Sequence, residues 1–229
     1  MVGEDDSSIR TNPEESARIL GEMIEYASWI FEDRKKKPTN DILSMLANGT
    51  INKKSLTKSD FLASFILLLV GGNETTRNSI SHGIVAFTRY PEQWEKLKRN
   101  PNLIVNTVKE IIRWSSPVMH MRRTAISDVV VNNQKIRAGD KVVLWYVSGN
   151  RDEAIYENPH KFDIERDASR HLGFGAGNHI CIGNRLAETQ LEIIFEEIVN
   201  LLPNLRVVGE GRRLRSNFIN GLLTLPVRR

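Results

Sequence analysis

Apart from Cys181 this 229-residue chain contains no cysteine, which excludes an internal disulfide and any zinc or iron–sulfur site built from cysteines alone. Long hydrophobic runs are also missing. The longest, residues 61–70 interrupted only by Ser64, is too short to span a bilayer. The opening Met1-Val2-Gly3-Glu4-Asp5-Asp6 has no apolar core, so a signal peptide is not expected and a cytoplasmic protein is. Neither sign of charge dominates: 32 Lys and Arg are interspersed with 28 Asp and Glu, which is not the profile of a nucleic-acid binder. The densest basic run, Arg34-Lys35-Lys36-Lys37, stands before Pro38 at an expected helix end. Cations meet the negative pole of the helix dipole there, and a partner patch is the alternative. No internal repeat or low-complexity tract is present. What remains is an ordinary globular composition, 40% hydrophobic and long enough to bury a core.

Periodicity outlines the elements. Pro13 opens an amphipathic helix through Ala17, Leu20, Ile24, Ala27, Ile30 and Phe31, ending before Pro38. A shorter helix spans residues 41–47. Thr57-Lys58-Ser59-Asp60 caps a long helix to about Arg89 whose first half is apolar on every side, which predicts a central, buried position. Two more helices follow, residues 91–99 and 103–115, the second closed by Ser116-Pro117. Residues 128–131, a turn at Asn132-Asn133 and residues 141–145 predict a small antiparallel sheet. Residues 150–170 have loop composition, residues 184–202 read as a helix, and the tail from Leu205 carries short strand-like pieces.

Cys181 lies in Phe174-Gly175-Ala176-Gly177-Asn178-His179-Ile180-Cys181-Ile182-Gly183, just before that last helix. A lone thiol can pack, attack as a nucleophile, or ligate one metal centre. The glycines at 175, 177 and 183 allow backbone to bend closely around the sulfur, and the helix adds its positive end, so an anionic sulfur is favoured. An iron ligand fits that environment. A buried apolar cysteine would not call for this glycine spacing, and nothing in the sequence marks His171 or His179 as the base a nucleophile needs.

The long helix carries Gly71-Gly72-Asn73-Glu74-Thr75-Thr76. Two helix-interior glycines cost roughly 1 kcal/mol each relative to alanine. Either another helix packs closely there, or space is left for a flat ring or a small gas molecule. Thr75 or Thr76 can bond to an upstream carbonyl and open the helix locally. Glu74 in apolar surroundings needs a partner or a proton, and with Thr75 could form a proton relay. Glu110 and Arg113 share one helix face and can pair, which by itself suggests a surface ion pair worth little.

The pattern Phe-Gly-x-Gly-x-His-x-Cys-x-Gly, followed by Leu186-Ala187, resembles the cysteine loop of the haem-thiolate monooxygenases, the cytochrome P-450 family. Gly71 to Thr76 is similar to that family's oxygen-binding helix, Ala/Gly-Gly-x-Asp/Glu-Thr-Thr, with Glu74 where aspartate is also common and Ile182 where leucine is frequent. The resemblance implies a mainly α fold with a small antiparallel β region, the C-terminal part of the family fold, as a single domain over residues 1–229. It implies haem b held at iron by Cys181, with Phe174 and Gly175 in the cofactor loop and Gly71 and Gly72 facing the ring. Arg123 and His179 match positions that clamp the haem propionates, and Glu74 and Thr75 match those that manage protons. Glu110, Arg113 and Arg166 match a structural triad that locks the meander around the cysteine turn. The implied partners are dioxygen, a small apolar substrate, and a ferredoxin- or flavodoxin-type electron donor docking near the cysteine face, with no nucleic acid and no membrane span.

Residues 72–80 resemble most closely the bacterial enzymes that hydroxylate cholesterol-like side chains or methyl-branched lipids. The same analogy puts residues 66–70, 117–121 and 221–223 around the substrate. Only about the C-terminal half of a typical member is represented, without its Trp-x-x-x-Arg element. A truncated monooxygenase is therefore expected. A non-catalytic haem-binding fragment is the alternative, and a cofactor-free helical interaction module a third reading.

Overall fold

The computed structural model describes residues 5–229, and local chemistry sets where its helices begin. In α1 (Pro13–Lys36) the Asn12 side chain accepts the Glu15 N–H at 2.7 Å and proline fills the first helical position, where no N–H is missed. Glu14 and Glu15 occupy its first turn and Arg34, Lys35 and Lys36 its last, each at the end of the dipole that attracts it. In α2 (Ile42–Asn48) the Asp41 carboxylate accepts from Ser44 N–H at 2.6 Å. A hairpin of β1 (Thr50–Ile51) and β2 (Lys54–Ser55) leads to α3 (Lys58–Arg89). Thr57 and Asp60 cap α3 reciprocally. The Thr57 N–H donates to the Asp60 carboxylate at 2.8 Å and the Asp60 N–H to the Thr57 hydroxyl at 3.2 Å.

Residues 7–74 form one compact unit, and residues 75–229 with 5–6 form another. The core of the first joins Ile30 and Phe31 of α1, Ala47 of α2 and Phe61 of α3, with the Phe31 and Phe61 rings 5.3 Å apart. Beyond Phe61 the apolar first half of α3 does not have the burial its composition predicts. Leu67 is 71% exposed, and Leu69 and Val70 are exposed as well. All-round apolarity fits a helix for burial, but burial needs neighbours, and α1 and α2 supply them only near its start. The expected local opening of α3 around Thr75 is absent, since residues 58–89 form an unbroken α-helix.

In the second unit, α4 (Pro91–Arg99) and α5 (Ile104–Ser115) pack with α7 (Asn184–Leu201) and the end of α3. The shared core includes Phe87, Trp94, Leu97, Val108, Ile111, Phe162, Ile164, Leu191 and Phe195. Strands are short and antiparallel throughout: β3 (His120–Thr124), β4 (Val129–Val131), β5 (Gln134–Ile136), β6 (Lys141–Trp145), β7 (Arg206–Val207), β8 (Arg212–Arg213), β9 (Leu222–Thr224) and β10 (Val227–Arg228). The one-turn α6 (Tyr146–Gly149) follows β6 directly.

The expected sheet is corrected in its pairing. β4 pairs with β5 across Asn132-Asn133, whose φ values of 45° and 62° suit a tight two-residue hairpin turn. β6 pairs instead with β3, with Arg123 opposite Val142. The alternation of residues 128–131 and 141–145 marks strands but carries no information about partner choice. The architecture is mainly helical with small antiparallel strand pairs. Among the described residues no helix is long and apolar enough to cross a membrane.

Candidate cofactor-binding site

Cys181 is exposed and sits at the mouth of a turn that the backbone holds closed. Its N–H donates to Phe174 O at 2.9 Å, the Ile180 N–H to Gly177 O at 3.1 Å, and the Gly175 N–H to Leu172 O at 2.9 Å. Gly175 and Gly177 have φ of 70° and 65°, a region that costs other residues about 1–2 kcal/mol. At Gly175 space is also tight: a Cβ would lie 3.2 Å from the Tyr146 hydroxyl, which would have to give by a few tenths of an ångström, and 3.4 Å from His179 O. Gly183 differs from the sequence expectation. Its φ is an ordinary −93°, and a Cβ there would meet only the Cys181 sulfur, at 4.0 Å. That glycine bares the sulfur rather than bending the chain.

In the same stretch of chain the apolar side chains of Ile182 and Leu186 are 84% and 65% exposed. His179 is exposed, and its side chain makes no hydrogen bond among the described residues. Phe174 is half-buried, its ring 5.3 Å from that of His171 and packed on the core. Burial drives the His171 imidazole down to about 4, with Lys109 and then Arg113 adding to the effect, and Nδ1 accepts the Gly173 N–H at 3.1 Å. A neutral ring with a local partner is a turn-former, not a base for Cys181.

Arg123, on β3, lines a concavity of about 310 Å³ with Leu144, Trp145, Tyr146, Leu172 and Ala176. Its hydrogen bond among the described residues is from Nη1 to Arg122 O at 3.0 Å, and it faces no carboxylate there.

Behind the turn lies a buried charge cluster. The Arg113 guanidinium donates Nε to Glu110 Oε2 at 2.6 Å and Nη2 to Glu110 Oε1 at 2.8 Å, and both side chains are fully buried. The remaining guanidinium donors reach Asn150 O (2.7 Å), Pro159 O (2.8 Å) and Lys161 O (3.2 Å). Arg166 Nε approaches Glu110 Oε1 to 3.4 Å, an ion pair without hydrogen-bond geometry, and its Nη1 and Nη2 donate to Glu157 O and Asn158 O. Glu110 and Arg113 therefore lie in the interior and do not form the surface pair that their spacing alone suggests. On an amphipathic helix, i to i+3 spacing fixes that two residues meet but not which face the core covers.

Sequence reasoning missed Asn150, Tyr146 and Asn106. Asn150 Oδ1 accepts the Leu172 N–H at 2.6 Å and its carbonyl takes Arg113 Nη1, so one buried residue links the charge cluster to the start of the cysteine turn. Asn106 Nδ2 spans Ile164 O (2.6 Å) and Arg166 O (2.7 Å). These partners lie tens of residues away, and no local pattern announces them. On α3, Gly71 and Gly72 are exposed with nothing within 4 Å of where a Cβ would stand, while Glu74 and Thr75 are half-buried. Thr75 O accepts the Ser79 hydroxyl at 3.0 Å.

Fold and turn together define a mainly helical protein that presents its one cysteine, exposed, from a glycine-rich turn closed by backbone hydrogen bonds. The chain belongs to the cytochrome P450 family, whose model matches residues 9–223. It is 47% identical to a linalool 8-monooxygenase of Pseudomonas putida, over 99% of this chain and 56% of the relative. It is 40% identical to a methyl-branched lipid omega-hydroxylase of Mycobacterium bovis, over 99% of this chain and 54% of the relative. A solved Mycobacterium marinum cytochrome P450 in complex with pseudoionone superposes with a TM-score of 0.86 at 38% identity, covering 90% of this chain and 50% of that one. The chain thus spans about half the length of the curated relatives it matches.

The family implies a haem-iron cofactor, and the residues present fit one. A single exposed sulfur donor, with the exposed apolar residues Ile180, Ile182 and Leu186 in the same stretch of chain, suits a flat apolar ring with one metal bond. An arginine in a concavity wall with no carboxylate opposite it suits a propionate.

Proposed function

We propose that this chain is the cysteine-bearing part of a haem b-dependent monooxygenase that inserts one atom of dioxygen into an apolar substrate. A steroid side chain or a branched lipid is the substrate class we favour. The observation that carries the reading is the exposed Cys181 sulfur on a turn with two left-handed glycines, backed by the buried Glu110–Arg113 pair. Haem, when bound, supplies the activation of dioxygen and the transfer of an oxygen atom to a carbon–hydrogen bond.

The protein's own part is to bind, orient and handle protons. Cys181 would hold the iron as a thiolate, and the turn's hydrogen bonds fix where that sulfur stands. Arg123 and His179 would bind the propionates. Gly71 and Gly72 offer bare backbone on α3, and the Glu74 carboxylate and Thr75 hydroxyl, adjacent on the same helix, would hold and pass a proton. Glu110, Arg113 and Arg166 act structurally, tying α5 to residues 157–163 beside the turn. A ferredoxin- or flavodoxin-type protein would deliver electrons, and the exposed Arg185 beside Cys181 suits an acidic partner. The names of the relatives, a linalool 8-monooxygenase and a methyl-branched lipid omega-hydroxylase, support an apolar, branched substrate. The single-domain reading is supported by a family match that runs through both compact units.

A second reading is a haem-binding chain without turnover, which would keep the Cys181 turn and the buried Glu110–Arg113 pair alike. The optical spectrum of the reduced, carbon-monoxide-bound protein tests the first step. A strongly red-shifted Soret band indicates thiolate ligation, an unshifted band a haem binder of another kind, and the absence of any band ends both readings. Turnover of a steroid or branched lipid with a surrogate redox chain then separates catalyst from binder.

A further inference from the structure

Asn220 bonds to four different places in the 75–229 unit. Its Nδ2 donates to Ser115 O at 2.5 Å and its backbone N–H to Pro117 O at 2.9 Å. Its Oδ1 accepts from Arg213 Nη1 at 3.2 Å, and its carbonyl is 3.0 Å from His82 Nε2. One residue pair further along, the Leu222 N–H donates to Asn78 Oδ1 at 2.9 Å. The Met119 N–H donates to Phe218 O at 2.9 Å, and Val118 and Ile219 form an isolated antiparallel bridge.

Asn78 and His82 stand one helical turn apart on α3 and are 1% and 2% exposed. Burial pushes the His82 imidazole down to about 4, so the neutral ring donates Nε2–H to the Asn220 carbonyl. Gly221 brings the turn against α3. A Cβ there would lie 3.1 Å from Leu214 Cδ2 and 3.3 Å from Asn78 Nδ2. Three stretches far apart in sequence therefore meet at one residue of the turn before β9: α3 at its backbone carbonyl and the exit of α5 at its side-chain amide and backbone N–H.

We propose that Asn220, with Asn78 and His82, is a positioning device for ligand specificity that holds residues 218–222 and 117–119 at a fixed separation from α3. The proposal rests on the reading above, in which residues 117–121 and 221–223 flank an apolar substrate. Apolar contacts distinguish substrates weakly, about 10–200-fold per methylene at best, and only if the wall does not yield. Val118, Met119 and Leu222 are partly exposed apolar side chains on the two braced segments. Bracing by buried hydrogen bonds makes that wall stiff where side-chain packing alone would let it move.

The test compares the full chain with its Asn220→Ala variant. In the variant, amide hydrogen exchange at Met119 and Leu222 should rise by about tenfold or more, with α7 amides unchanged. Affinities for linalool and cholesterol, read by tryptophan fluorescence with and without haem, should lose their wild-type ratio by about tenfold. If Asn220→Ala does not fold, His82→Gln leaves the other Asn220 bonds in place, and a change in the ratio of about threefold is expected. An unchanged ratio in a folded variant, unchanged exchange at both amides, or a wild-type chain that binds neither probe overturns the proposal. A wild type without the red-shifted carbonyl band sinks the haem reading separately, because the fluorescence ratios are read without haem too.

Discussion

Arg113 grips Glu110 through two parallel N–H···O bonds of 2.6 and 2.8 Å, three residues apart on α5, with neither side chain reaching solvent. Every remaining guanidinium donor is spent on a backbone carbonyl between residues 150 and 161. A buried charge so fully matched is tolerable, and one left alone is not.

Glu110→Gln keeps the shape and removes the charge. It should cost about 3–5 kcal/mol, because Arg113 stays buried without its counter-ion. Urea denaturation followed by far-UV circular dichroism checks this, and a loss below about 1 kcal/mol would show the cluster to be unimportant for stability.

Cys181→Ala should abolish the red-shifted carbonyl band while changing the stability of the haem-free chain by no more than about 0.5 kcal/mol, since the side chain is exposed. Retention of the shifted band in that variant would rule out the sulfur as ligand.

For Gly175→Ala the turn has an unfavourable φ and little spare space. A penalty of about 1–2 kcal/mol for the left-handed backbone is expected, with added pressure on the Tyr146 hydroxyl. Weaker haem uptake in titrations should accompany it. Tyr146→Phe in the same background should recover part of the uptake.

Thr75→Ala should leave the carbonyl band in place, and oxygen consumption should no longer match product formed. The Ser79 hydroxyl bonds the Thr75 backbone carbonyl, which the substitution keeps, so helix α3 is expected to be intact. Oxygen-electrode and product measurements on the same sample decide the matter.

Stability should fall in mild acid. Burial lowers His82 from an ordinary value near 6.5 to about 4, so between those values the unfolded chain binds a proton that the folded one does not. The contribution is complete above about pH 6.5 and is lost progressively toward pH 4, up to roughly 3 kcal/mol, with His171 acting in the same direction. Urea midpoints across that range should show the slope, and His82→Gln should flatten it.

Much of the molecule was legible beforehand because its signals are local. Asn12-Pro13, Asp41 and Thr57 with Asp60 cap helices through atoms three residues away, and their helices begin where the caps stand. The glycine-rich character of the cysteine turn was equally plain, but of the three glycines only Gly175 and Gly177 adopt left-handed backbone and Gly183 does not. The partner of residues 141–145 was not, because alternation describes a strand's faces and not its neighbour. Nor was the burial of Glu110, whose spacing from Arg113 is the same on a wet face as on a dry one.

Sequence alone thus determined the helices, the single sulfur and the turn that bares it, through dihedral preferences and hydrogen bonds within a few residues. Only the tertiary structure decided that Glu110 and Arg113 lie in the interior, that Asn150 ties them to Leu172, and that Asn220 joins α3 to the exit of α5. Those outcomes depend on which distant segments exclude water together, and desolvation is a property of the packed assembly rather than of any stretch of chain.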